Sequence, residues 1–254
     1  MNLVIDIGNS DVVFGLESNG EYPFIFRIPS NTETIAAEYG IKLRQYFLEN
    51  DIAADAIQSV SVSSVVPDLT ERIIQASNSL FPLEPFLISG NIIEMLDLEI
   101  DNPYEIGTDL AANAIGAYAK FGQPCVVVDF GTALTFTSVS DRGKILGVAI
   151  APGVRTAMKA LSSNTAKLPE IPLEIPSKLI GRNTIEAMQS GIMQGYVGLV
   201  KHMVEQTKNE MNTEAKVAAT GGLSFIFKPL HGVIDEILPH LTLDGILEIR
   251  KKIL

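Results

Sequence analysis

Leu3-Val4-Ile5-Asp6-Ile7-Gly8-Asn9-Ser10 and, far downstream, Val126-Val127-Val128-Asp129-Phe130-Gly131-Thr132-Ala133 share one design. Each is an apolar strand running into Asp-x-Gly followed by Asn or Thr. The two aspartates lie 123 positions apart, and the same offset carries Gly8 onto Gly131 and Gly20 onto Gly143. Three landmarks in one register point to an internal duplication. A glycine lets the backbone take positive φ and approach a ligand closely, while the N–H groups that follow and the Asn or Thr side chain can point at phosphate oxygens. An ionised carboxylate only accepts hydrogen bonds, so beside phosphate it repels unless it binds a cation, takes a proton or orients water. The turn therefore implies a metal. One such turn alone reads equally well as a plain strand ending; two in register favour the phosphate reading.

The surroundings repeat as well. Val12 to Glu17 and Tyr22 to Ile28 flank Asn19-Gly20, the signature of a tight hairpin, and Leu134 to Ser140 and Lys144 to Ile150 flank Asp141-Arg142-Gly143 in the corresponding place. In the first half Thr32 is expected to cap a helix bearing Ile35, Tyr39, Leu43 and Phe47; a strand over Val60 to Val65 follows, and Pro67 opens another helix. In the second half Pro152-Gly153 precedes a short helical stretch, Asn183 to about Met211 is a long helical pattern, and Lys216 to Thr220 is a strand. Gly122 and Pro124 interrupt the helical pattern ending at Ala117-Tyr118-Ala119, which places a domain boundary there and gives domains 1–120 and 121–254.

Composition narrows the function classes. A chain of 254 residues that is 46% hydrophobic can bury a substantial core. Its formal charge of −11 argues against sequence-independent binding to nucleic acid or to an anionic membrane. It has no apolar run long enough to span a bilayer and no signal-peptide pattern, so a cytoplasmic location is expected. Cys125 is the single cysteine, which excludes an intrachain disulfide and a multi-thiolate metal site, and it opens an apolar strand where a buried, inert thiol is expected. His202, His231 and His240 have no metal-ligand spacing.

Two domains turning their Asp-x-Gly loops towards a shared cleft would hold a nucleotide from both sides. This arrangement resembles the acetate and sugar kinase, heat-shock chaperone and actin superfamily. That resemblance implies an α/β fold of two duplicated ribonuclease H-like (actin-like ATPase) domains, each a mixed five-stranded sheet with flanking helices. Ala219-Thr220-Gly221-Gly222 resembles the adenosine motif of that superfamily. Further motifs are similar to those of type III pantothenate kinases over nearly the whole chain: Asn102-Pro103-Tyr104-Glu105-Ile106-Gly107-Thr108-Asp109, Ile150-Ala151-Pro152-Gly153, Lys167-Leu168-Pro169, Gly181-Arg182-Asn183-Thr184 with Met188-Gln189-Ser190-Gly191, and Leu241-Thr242-Leu243-Asp244-Gly245. The resemblance implies a homodimeric transferase. It would move the γ-phosphoryl group of ATP to the primary hydroxyl of pantothenate, giving 4'-phosphopantothenate in the first step to coenzyme A, with a divalent cation such as Mg2+ and a monovalent cation, K+ or NH4+.

Carried across, the resemblance makes Asp6, Ile7, Gly8, Asn9, Ser10, Asp11, Val12 and Val13 the first phosphate loop, with Asp6 serving the divalent ion directly or indirectly. Gly131, Thr132, Gly221 and Gly222 become nucleotide contacts, and Asp129 the monovalent-cation ligand. Tyr104, Gly107, Thr108, Asp109, Leu110 and Thr184 become the pantothenate site, with Asp109 as catalytic base. Phosphoryl transfer has a loose transition state, so such a carboxylate need only orient the alcohol and accept its proton late; read without the resemblance, Asp109 is a helix cap.

The chain departs from the family pattern at three places. Leu110 stands where the family has arginine, Asp11 adds a carboxylate to the first loop, and Thr137 replaces an aspartate. A lost charge-assisted hydrogen bond of about 1.5–3 kcal/mol weakens substrate binding by roughly one to two orders of magnitude unless another group replaces it, and Arg155 and Arg182 are the candidates. A catalytically weak or inactive member acting as a nucleotide-binding regulator is the alternative that Leu110 raises. A chaperone-like or filament-forming ATPase would lack the Asn-Pro-Tyr-x-x-Gly-Thr-Asp segment.

Overall fold

The computed structural model describes residues 1–96, 98–164 and 168–254; Lys167 of the Lys-Leu-Pro motif lies outside them. The chain divides into two compact units. One comprises Met1–Leu96, Asp101–Gly116 and Thr242–Leu254, the other Asp97–Ile100 and Ala117–Leu241.

In the first unit β1 (Asn2–Ile7), β2 (Asp11–Ser18) and β3 (Glu21–Pro29) form the expected antiparallel meander. Its hairpin turn takes positive φ at both Asn19 and Gly20, the geometry an Asn-Gly pair supplies without strain. Helix α1 (Ala36–Glu49) leads to β4 (Ser59–Ser64), which pairs parallel with β1, and Pro67 sits at the start of α2 (Pro67–Asn78). β5 (Phe86–Leu87) completes a sheet of order β3-β2-β1-β4-β5. The short α3 (Gly90–Glu94) and α4 (Thr108–Phe121) follow.

The second unit repeats this plan. β6 (Cys125–Phe130), β7 (Ala133–Val139) and β8 (Ile145–Pro152) are antiparallel; α5 (Val154–Ser163) follows, then α6 (Thr184–Gln189), a π-turn (Ser190–Gln194) and α7 (Gly195–Met211) run on from one another. β9 (Lys216–Thr220) and β10 (Glu236–Ile237) pair parallel beyond β6, giving the order β10-β9-β6-β7-β8. Replacing each first-sheet strand by its counterpart reproduces the second sheet, and the 123-residue offset holds to within a residue for the starts of the three meander strands. The closing helix α8 (Leu241–Ile253) belongs to the first unit from Thr242 onward.

Alternation along the central strands decides which side chains reach each face. Leu3, Ile5 and Ile7 pack with Tyr39, Leu43 and Phe47 of α1 and Leu69 and Ile73 of α2, which turns Val4 and Asp6 to the other face. There a Cβ on Gly15, paired with Val4, would meet Leu243, and Arg250 donates to the Val60 carbonyl at 3.0 Å and the Ser61 hydroxyl at 3.3 Å, so α8 lies along this face. In the second sheet Val128 and Phe130 pack with Val154, Met158, Val197 and Val200, leaving Asp129 to the opposite side. Cys125 is buried and free, and desolvation pushes its thiol up to about 12, so it is inert as expected.

Thr32 does not cap α1. The helix starts four residues later behind Ile35, because residues 31–34 close their own turn: Thr34 N–H donates to the Asn31 carbonyl and Glu33 N–H to the Asn31 side chain. Arg72 donates to the carbonyls of Thr32 and Thr34, which ties this turn to α2. Ile35, expected on the buried stripe, is exposed as a result.

Candidate active site

The first Asp-x-Gly turn is held in shape mainly by backbone. Gly8 N–H donates to the Asp11 carbonyl at 3.0 Å, the Ser30 hydroxyl donates to the Gly8 carbonyl at 2.6 Å, and Ser30 N–H donates to the Ser10 carbonyl at 2.9 Å. Ser30, just past the end of β3, thus braces the loop, a role that shows only once the hairpin brings it there. Asn9 and Ser10 are exposed at the tip, whereas Ile7, Val12 and Val13 are buried, so those three can offer a ligand only their backbone. Asp6 pairs across the sheet with Val13 on one side and Ser63 on the other.

Ser63 connects Asp6 to the start of α4. Its hydroxyl lies 2.8 Å from the Thr108 hydroxyl, which also donates to the Ser64 carbonyl at 3.0 Å and accepts from Ser64 N–H at 3.1 Å. Thr108 has one proton, and with that proton on the Ser64 carbonyl Ser63 must be the donor to Thr108. The Thr108 side chain, 8% exposed, is therefore spent on pinning the first turn of α4 to the end of β4. Neither serine carried a motif signal, since both read as ordinary strand residues.

The next residue, Asp109, keeps partial exposure, yet desolvation raises its carboxyl pKa against hydrogen bonds from its own and the Leu110 backbone N–H, the latter at 2.8 Å. Gly107 is the residue that fits beside it, because a Cβ there would strike Asp109 Oδ1. Gly107, Thr108, Asp109 and Leu110 are thus one rigid corner. Tyr104 makes contacts of its own: its ring lies over Gly90, and its hydroxyl donates to Glu94 at 2.7 Å, the bond that chiefly raises its pKa.

In the second unit the turn and the Thr-Gly-Gly motif meet at Asp129. A Cβ on Gly221 would strike Asp129 Oδ1 and the Phe130 backbone, and Gly221 has φ +86°, so both space and conformation call for glycine there. Gly131 lies against the same carboxylate. The Thr132 carbonyl accepts from Gly153 N–H at 3.0 Å and from the Thr156 hydroxyl at 2.7 Å, which leaves the exposed Thr132 facing outward from a fixed backbone. Gly222, next to Gly221 in the chain, is exposed. Asp129 pairs with Thr135 on β7 and Thr220 on β9, so three oxygen-bearing side chains form one row across the sheet. The Thr135 hydroxyl is buried with no hydrogen-bond partner among the described residues.

Thr184 lies elsewhere in this unit, at the first position of α6, behind Asn183, whose side chain accepts from Glu186 N–H at 3.0 Å. It lines an open pocket of about 650 Å³ with Gly181, Arg182 and Asn183 on the polar side and Leu161, Leu168, Met188 and Ile192 on the apolar side. Arg155 does not line this pocket. Among the described residues no three His, Cys, Asp or Glu side chains are grouped to hold a metal, and no helix is long and apolar enough to cross a membrane.

The Thr108 contacts set an expected outcome. Thr108→Val keeps the shape but strands buried partners on β4, at about 1–3 kcal/mol, or roughly 3–10 °C in melting temperature. Thr108→Ser, which keeps the hydroxyl, retains the parent's stability. Calorimetry on the pair checks this; a Thr108→Val variant that melts like the parent would show that the contact stabilises nothing.

The fold and sequence have clear relatives. A type III pantothenate kinase from Moorella thermoacetica is 39% identical over 246 residues, 97% of either chain. A Campylobacter jejuni structure described as a Baf family transcriptional activator covers 98% of both chains with TM-score 0.60 at 21% identity. The ADPNP-bound activator of 2-hydroxyisocaproyl-CoA dehydratase from Clostridium difficile covers 98% of this chain and 94% of its own, with TM-score 0.52 at 14% identity. These two structures share the fold. The family model for type III pantothenate kinase matches residues 2–206, and with the duplicated sheets, paired turns and Asp109 corner in place, the chain belongs to the type III pantothenate kinase family.

Proposed function

We propose that the chain phosphorylates the primary hydroxyl of pantothenate with ATP. The observation that carries this reading is the Asp109 corner, where a partly buried carboxylate with a raised pKa is held by Gly107, Thr108 and the Leu110 N–H in a kinase-family chain. As a kinase of this family it uses ATP with a divalent cation. The residues suit an ion carried largely by the phosphates: Asp6 offers one carboxylate at a strand end, and no protein cage of acidic or histidine ligands exists among the described residues. In the first unit the Gly8-Asn9-Ser10 tip would supply N–H and hydroxyl donors to phosphate oxygens; in the second, Gly131, Thr132, Gly221 and Gly222 would approach the nucleotide closely through backbone. Asp109 would accept a hydrogen bond from the pantothenate hydroxyl, hold it in line with the γ-phosphorus and take its proton as the new P–O bond forms.

The row Thr135-Asp129-Thr220 suits a monovalent cation, being one charge flanked by two hydroxyl oxygens, of which the Thr135 one has no hydrogen-bond partner among the described residues. On the substrate side, the Thr184 pocket matches pantothenate in character, with apolar wall for its gem-dimethyl group and polar wall for its hydroxyl, amide and carboxylate groups. Arg182 in that wall, rather than Arg155, is the replacement for the arginine that Leu110 displaces. Homodimer formation belongs to the same proposal. It is supported by the exposed Leu179, Ile180 and Ile185 beside the pocket and is checked by light scattering.

ADP release that depends on pantothenate tests the function directly; nucleotide turnover indifferent to pantothenate would favour the regulator instead. Asp109→Asn is expected to lower kcat about 10²–10⁴-fold with nucleotide binding retained. Its stability has a definite sign. Because burial raises the Asp109 pKa, the folded state holds that proton more tightly than the unfolded chain. Folding stability therefore falls as pH rises from about 3.9 through the folded value. Asp109→Asn should accordingly melt higher than the parent near pH 8 and lose that advantage near pH 3.

Exchanging K+ for Na+ should slow the parent and leave Asp129→Ala, already slow, without cation dependence. Arg182→Ala should raise KM for pantothenate about tenfold or more with little change for ATP, while Arg155→Ala should not; the reverse result would move the substituted charge to Arg155.

A further inference from the structure

Of the motif Met188-Gln189-Ser190-Gly191, Met188 lines the pocket, whereas Gln189 and Ser190 have no role in the chemistry described so far; both lie where the long second-unit helix turns irregular. The π-turn over Ser190–Gln194 follows directly on Gln189. In an α-helix, side chains five residues apart diverge by about 140°, whereas the i→i+5 bonding of a π-turn brings them close to one face. The pair so aligned is Gln189 and Gln194, with Ser190 beside them.

All three grip the same segment. Gln189 Nε2 donates to the Pro172 carbonyl at 3.0 Å, Gln194 Nε2 donates to the Pro176 carbonyl at 3.0 Å, and the Ser190 hydroxyl donates to the Leu179 carbonyl. Residues 171–180 form no helix or strand. Pro172 and Pro176 have no N–H to give a sheet, and the glutamine side chains bond their carbonyls instead; the Pro172 carbonyl also accepts from Glu174 N–H at 3.0 Å. Ile171 is buried, and Leu173 and Ile175 pack on the core, a period-two pattern of an extended strap lying across the helices.

Both ends of this strap reach the pocket. Leu168 precedes it and Gly181, Arg182, Asn183 and Thr184 follow it, and all five line the cavity. The π-turn also contributes Gly191 and Ile192 to the wall, and a Cβ on Gly191 would meet open space. One helical irregularity therefore forms part of the pocket and holds the strap that forms much of the rest.

We propose that Gln189, Ser190 and Gln194 are positioning residues that set the shape of the pantothenate pocket by clamping the strap at residues 172, 176 and 179. This rests on the reading of the Thr184 pocket as part of the pantothenate site. None of the three donors needs to touch the substrate. Releasing the strap lowers the fraction of molecules with the wall in place, and apparent affinity falls in proportion to that fraction.

The test is the double variant Gln189→Met, Gln194→Met, which keeps side-chain length and helix propensity while deleting both donors. Amide hydrogen exchange with and without pantothenate, and steady-state kinetics, are measured on parent and variant. The expected result is exchange at 173–181 faster by tenfold or more with the rest of the unit unchanged. KM for pantothenate should rise about five- to twentyfold, with kcat and KM for ATP within twofold, and protection of 179–184 by pantothenate should be strong in the parent and weak in the variant. Parent-like exchange in the strap, or a loosened strap with unchanged pantothenate KM, overturns the proposal while leaving the proposed function standing. A parent that neither turns over pantothenate nor shows protection by it overturns both.

Discussion

Each sheet depends on a central strand held from both sides. β1 pairs in register with antiparallel β2 and parallel β4 over its whole length, and β6 pairs with β7 over its whole length and with β9 from Cys125 to Asp129. A strand fixed by hydrogen bonds on both edges cannot slip by one residue without turning its entire buried set to the wrong face. That constraint settles where the acidic residue near its end must point. Leu3, Ile5 and Ile7 in one unit, and Val128 and Phe130 in the other, commit one face to helical packing, and the aspartates are left for the opposite face.

The two halves spend this shared frame differently. Opposite Asp6 stands Ser63, whose hydroxyl turns to Thr108 and so ties the strand to the helix bearing Asp109. Opposite Asp129 stand Thr220 and Thr135, and Gly221 crowds the carboxylate so closely that no side chain fits. In the first copy the cross-strand neighbour ties the strand to a helix start; in the second the cross-strand neighbours form a polar row beside the turns.

Much of this was legible in the chain. The meanders, the Asn19-Gly20 turn and Pro67 at a helix start follow from periodicity and turn chemistry, which act over a few residues; the order of the strands in each sheet is a non-local property that the structure supplies. The site was less legible because its supports are non-local. Ser30, Ser63 and Ser64 sit in unremarkable sequence and matter only through partners up to 45 residues away. Thr32 misled for a related reason: Asn31 closes the turn locally and Arg72 secures it from a different helix, and no window around Thr32 reveals that. The π-turn was equally hidden, since the apolar pattern of residues 183–211 fits a continuous α-helix.

Leu110 can be understood through its neighbour. Its N–H already donates to the Asp109 carboxylate, so the backbone at this position supports the carboxylate whatever the side chain is. Desolvation raises the Asp109 pKa against that hydrogen bond, and the uncharged leucine adds no electrostatic effect of its own. A stronger base gains little in a reaction whose transition state is loose, because the proton leaves late and positioning dominates. On the proposed role of Asp109 the substitution bears mainly on substrate binding, and the Gly107-Thr108-Asp109 corner keeps the contacts that fix its geometry.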